Sequence, residues 1–162
     1  MSNPLVVIDT NVVLDLLHFG DATARPLRLA LEAGRVRCAV TDATLDELRR
    51  VLAYPEFGLD AARQAALLAR YQALSAMADD AGAAAGLPPG APARCGMKPG
   101  WSRMPRCSDP DDQKFIELAA AVQAQALVSK DCAVLKLRRR CAPLFQVLSP
   151  AEAVRWLDET PA

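Results

Sequence analysis

Apolar residues along the chain follow two periods. Four short runs read as strands: residues 5–8 (LVVI), 36–40 (VRCAV), 126–129 (ALVS) and 144–148 (LFQVL). Two of them are continuous in apolar character, as expected where both faces of a parallel sheet are covered. Between the runs the apolar spacing becomes helical. Residues 22–33 carry Ala24, Leu27, Ala30 and Leu31 on one face, with Gly34 as a stop. Residues 42–53 follow Thr41, a suitable N-cap, and line up Leu45, Leu48, Val51 and Leu52. Residues 60–79 are rich in Ala and Leu with no Gly or Pro, which predicts one long helix. Further helices are expected over 111–124 and over 150–158, where Pro150 suits a first turn.

Strands alternating with helices predict a three-layer α/β/α domain around a mainly parallel sheet of four to five strands. In such sheets the functional crevice lies beyond the carboxyl ends of the strands. The stretch from about Asp80 to Cys107 breaks the alternation. It is dense in Gly and Pro and far longer than a usual connection of about 4–6 residues. It reads either as an unstructured insertion or as a binding loop. Arg94, Lys98, Arg103 and Arg106 surround Trp101 with no acid after Asp80, a composition suited to single-stranded nucleic acid.

The whole-chain numbers narrow the class without choosing it. The 162 residues fit one domain, carrying 19 basic and 19 acidic side chains for zero net charge. Any nucleic-acid role must therefore rest on local patches. No run of about 18 apolar residues exists to span a membrane. The N-terminal apolar run lacks a basic lead and meets Asp9 after four residues, so no secretory leader is expected. The five cysteines form no C-x-x-C pair, which disfavours a zinc site or disulfide framework and fits a reducing cytoplasm.

Candidate chemistry sits in acids at predicted strand ends. Asp9 follows the first strand and Asp131 the third. Each is explained equally well as a helix cap, Asp9 for residues 12–19. Together they converge on one rim if their strands are neighbours. In Ser108-Asp109-Pro110-Asp111-Asp112, Asp109 reads as an N-cap, Pro110 as the first helical residue and Asp111 as exposed. Asp112 precedes Phe115 and Ile116 by three and four residues, beside the apolar face. Glu47 has Arg50 as its nearest predicted partner, and Asp46 pairs with Arg50 at i,i+4. A solvated pair explains Glu47 as well as a site does.

Clustered carboxylates without His or Cys call for a hard divalent cation, Mg²⁺ or Mn²⁺, and such a site suits phosphodiester hydrolysis. No side-chain nucleophile competes: His18 reads as structural or exposed, and no Gly-rich phosphate loop is present. Lys136, Arg138, Arg139 and Arg140 form a basic run that reads as a solvated face or as an RNA phosphate track.

Three segments, VVIDTNVVLDLL at 6–17, TDATLDELRRVL at 41–52 and CSDPDDQKFIELAAAVQAQALVSKDCAVLKL at 107–137, resemble the PIN domain family of metal-dependent nucleases. The likeness is to its bacterial VapC-like branch of toxins. It implies a PIN-like parallel sheet between helices, often in a homodimer. It implies an acidic pocket with Asp9 and Asp112 as metal ligands and Asp131 completing it directly or through water. Glu47 would position a bound water or a second ion, and Thr10, Asn11 and Ser129 would support the pocket by hydrogen bonds. The implied reaction is endonucleolytic hydrolysis of single-stranded RNA to a 5′-phosphate and a 3′-hydroxyl. The implied partner is a cognate antitoxin. In this branch a strand-like segment usually precedes the D-P-D-D stretch, where this chain has its Gly/Pro-rich loop.

Two other readings remain in play. In a binding module without turnover the acids would hold one structural cation, or the domain would act only by binding an antitoxin or RNA. A phosphatase of the haloacid dehalogenase type also ends its first strand in Asp. That chemistry needs a second acid two residues on, and here Asn11 occupies the position. A receiver domain fails similarly, since its paired acids at the first strand are missing.

Overall fold

The computed structural model describes residues 4–18, 20, 22–77, 107, 110–142 and 144–159, with the side chains of 110 and 111 excepted. Five strands form one sheet: β1 (Leu5–Ile8), β2 (Arg37–Val40), β3 (Ser75–Met77), β4 (Ala126–Val128) and β5 (Gln146–Leu148). Their order is β3-β2-β1-β4-β5 and every pairing is parallel. The helices are α1 (Thr10–Leu17), α2 (Arg25–Glu32), α3 (Asp42–Leu52), α4 (Ala61–Leu74), α5 (Pro110–Ala121), α6 (Cys132–Leu135), α7 (Arg138–Cys141) and α8 (Pro150–Glu159).

Strand alternation divides the core into two layers. Val6, Ile8, Cys38, Val40, Ala126 and Val128 face a cluster built with α1 to α4 and α8. The residues between them, Val7, Ala39 and Leu127, face α5 to α7 with Val147 of β5. A period of two in short, wholly apolar strands thus gives each face its own core, as a sheet covered on both sides requires. This is the expected three-layer arrangement.

Local signals set most boundaries. Thr41 and Thr44 make a reciprocal capping box at the start of α3. Asp60 caps α4 by accepting from the Arg63 N–H at 2.7 Å. Gly34, at φ 74°, ends α2 and lets the Arg35 N–H reach the Ala30 carbonyl at 2.9 Å.

Two expectations are corrected. The helix expected over 60–79 stops at Leu74, and Ser75–Met77 turns into β3 along the edge of β2. Ser75 is already extended at φ −129°, ψ 167°, and its Oγ donates to the Tyr71 carbonyl at 2.8 Å, closing the helix end. Pairing with β2 outweighs the helical preference of Ala and Met. The strand missing before the D-P-D-D stretch is therefore present, upstream of the Gly/Pro-rich segment. The helix after Asp9 starts at Thr10 rather than residue 12.

Candidate metal centre

β1 and β4 are neighbours, so the residues after them meet at one rim of the sheet. The Asp9 N–H donates to the Val128 carbonyl at 2.9 Å, which locks the two strand ends side by side. Asp9 caps α1 and also takes a side-chain hydrogen bond from the end of β4. Its Oδ1 accepts the Asn11 N–H at 3.4 Å, and its Oδ2 accepts the Ser129 hydroxyl at 2.7 Å. Ser129 is fully buried, and its Oγ accepts the Asp131 N–H at 3.1 Å. A chain of donors thus runs from Asp131 through Ser129 to Asp9. Asp131 caps α6, its Oδ1 accepting the Ala133 N–H at 2.8 Å.

Glu47 approaches from β1's other flank, on the α3 helix that follows β2. The Thr10 hydroxyl donates to its Oε2 at 2.5 Å, and Lys114 Nζ lies 2.7 Å from its Oε1. The pairing expected with Arg50 is thus replaced by one with Lys114, and Asp46 pairs with Arg49 at 2.6 Å instead of with Arg50. Helical spacing foresees only partners on the same helix, whereas Lys114 arrives from α5. The only sequence signal for Lys114 is its place two residues after Asp112.

Asp112 is 7% exposed in the first turn of α5, the buried edge position its spacing predicts. The Gln113 side chain accepts the Cys107 N–H at 2.6 Å and so fastens the chain entering that helix. The N-cap reading for Asp109 and the exposed reading for Asp111 fall outside the described residues and side chains. So do Arg94, Lys98, Trp101, Arg103 and Arg106.

The electrostatics tie three acids together. Burial, above all, pushes the Asp9 carboxyl above its ordinary value of 3.8. The Ser129 and Asn11 hydrogen bonds oppose that rise, and the charges of Glu47 and Asp131 add to it. Asp9 thus lies within Coulombic reach of carboxylates from two further elements.

A family model described as PIN domain matches residues 5–133. The chain belongs to the PIN domain family. Its fold is shared with a chain from the crystal structure of VapBC2 from Rickettsia felis bound to a DNA fragment from their promoter. That match has a TM-score of 0.54 at 12% identity and covers 90% of this chain and 98% of the other. A sequence search of curated proteins gives no match. PIN domains are in general nucleases, a class of hydrolase, and they generally use divalent metals.

The residues of this PIN domain suit such an ion by their chemistry. Asp9, Glu47 and Asp131 offer only hard oxygen donors, and their mutual repulsion is what a divalent cation relieves. Among the described residues no group of three acids, His or Cys already stands close enough to enclose an ion. Asn11 gives Asp9 a backbone N–H where a haloacid dehalogenase would place a second carboxylate.

The remaining sequence candidates lie elsewhere. His18 packs edge-on against Phe57, with ring centroids 5.6 Å apart, in keeping with its structural reading. In the basic run, Arg138 pairs with Glu152 at 2.6 Å, while Lys136, Arg139 and Arg140 are exposed. Among the described residues no helix is long and apolar enough to cross a membrane.

Proposed function

We propose that this PIN domain is a metal-dependent endoribonuclease that hydrolyses phosphodiester bonds of single-stranded RNA. We further propose that it is the toxin of a bacterial toxin–antitoxin pair acting in the cytoplasm, forming a homodimer and held by a cognate antitoxin. The observation that carries the nuclease reading is the meeting of Asp9 and Asp131 with Glu47 at one rim, beside the helix whose first turn buries Asp112. The likeness to a chain of the VapBC2 complex supports the antitoxin partner.

Asp9, Asp112 and Asp131 would hold Mg²⁺ or Mn²⁺, as one ion or two, with Glu47 beside them. When bound, such an ion would supply a water of lowered pKa and neutralise charge on the phosphate oxygens. The chain's own residues provide orientation. Ser129 and the Asn11 N–H fix both oxygens of Asp9. Thr10 and Lys114 hold Glu47 from two sides, so its carboxylate is aligned before substrate arrives. No serine or cysteine nucleophile is needed.

Cleavage of a fluorescently labelled single-stranded RNA in Mg²⁺, in Mn²⁺ and in EDTA tests this, with Asp112→Ala purified in parallel. Wild type is expected to cut only with metal. Asp112→Ala is expected to lose roughly 10²-fold or more. Cutting that survives both EDTA and the substitution overturns the reading, and RNA binding without cutting in either metal replaces it with a non-catalytic module.

A further inference from the structure

A groove opens between α3 and α5 beside Glu47. Ala43, Asp46, Arg49, Arg50 and Lys114 line it, around a space of about 540 Å³. Three of these five residues are basic and one is acidic. The acid is weakly engaged: Asp46 and Arg49 pair at 2.6 Å, but their side chains are 62% and 59% exposed. An ion pair so open to water contributes little and yields to a stronger anion. Arg50 is exposed on the same wall. Lys114 lines the groove as well, and its Nζ meets Glu47 and lies 5.7 Å from the Phe115 ring centre. The basic lining therefore reaches Glu47 through Lys114.

We propose that this groove binds the backbone phosphates of single-stranded RNA, with Arg49 and Arg50 as phosphate contacts and Lys114 marking the passage to the acidic site. The choice of RNA rests on the nuclease reading above; the groove itself rests on its charge and its place. A strand with one phosphodiester over the carboxylates must carry its neighbouring phosphates away from that negative centre. The α3–α5 groove offers guanidinium groups on that route, and guanidinium matches phosphate geometry with two parallel donors. The run at residues 136–140 is a weaker candidate. Arg138 lies toward the β5 edge of the sheet, whereas α3 carries Glu47 itself and meets Lys114.

The test is fluorescence anisotropy of a labelled single-stranded RNA in EDTA across a series of salt concentrations. Wild type is compared with the Arg49→Gln/Arg50→Gln double variant. Both arginines are exposed and both stand outside the acidic site, so thermal melting should show the variant folded. Losing two phosphate contacts on a single strand should lower the slope of log K against log salt by about 1.4, at roughly 0.7 per contact. An unchanged slope overturns the proposal, whether the groove then serves a protein partner or nothing. Failure of wild type to bind RNA also overturns it. Metal-dependent cutting with an unchanged slope removes the groove and keeps the nuclease reading. A lowered slope without cutting in any metal keeps the groove and removes that reading.

Discussion

Asp9 caps α1 and also takes a hydrogen bond from Ser129, and it does both while 3% exposed and facing the charges of Glu47 and Asp131. Burial raises its pKa above 3.8, so the folded chain holds this proton more firmly than the unfolded one. Linkage fixes the sign. Stability from this group is complete below the unfolded value and is lost as pH rises through the folded one. In EDTA the melting temperature of wild type relative to Asp9→Asn should therefore fall as pH climbs from about 4 toward 7. Asp9→Asn, which carries no charge at any of these pH values, should melt higher than wild type at pH 7. A wild type that gains on the variant with rising pH would falsify the account of Asp9 as a buried, repelled carboxylate.

At the scale of elements, the turn from β4 into α6 carries Ser129 and Asp131, and a contact outside the carboxylate cluster fastens it. Lys130 reaches across to α1, where its Nζ lies 2.8 and 3.0 Å from the two oxygens of Asp15. Asp15 is 6% exposed, so Lys130→Ala leaves a buried carboxylate without this donor. The expected cost is about 1–3 kcal/mol, seen as a fall of roughly 2–4 °C in Tm per kcal/mol. Adding Asp15→Asn should recover part of that loss. A double variant as unstable as the sum of the single ones would show that the pair does not fasten the turn. Neither this contact nor Lys114–Glu47 was legible in the chain, because each joins two elements distant in sequence. What was legible is local. Four strands followed from apolar runs, the α3 start from Thr41, and the buried edge position of Asp112 from its distance to Phe115 and Ile116. β3 was hidden for the same reason: Ser-Ala-Met carries no strand period, and only the open edge of β2 makes it a strand.

Across the whole molecule, the parallel sheet joins pieces of chain that have no local reason to meet. Ser129 and Asp9 are 120 residues apart and Glu47 lies on a third segment, yet all stand at one rim because β4 and β2 flank β1. An ion gripping residues from separate segments binds the folded chain and not the unfolded one, so its binding energy adds to folding stability. At 100 times its dissociation constant, Mn²⁺ should stabilise wild type by about 2.7 kcal/mol, or about 5–10 °C in Tm for a chain of this size. Asp9→Asn and Asp131→Asn should each lose most of that shift while remaining folded without metal. Lys136, Arg139 and Arg140 are exposed cations, and neutralising them should leave the shift in place. If Mn²⁺ raises Tm equally in wild type and in Asp9→Asn, the ion binds elsewhere and the rim is not the metal centre. A shift confined to chains with intact rim acids instead joins the topology to the chemistry, because the strand order that buries the core also brings those acids to one rim.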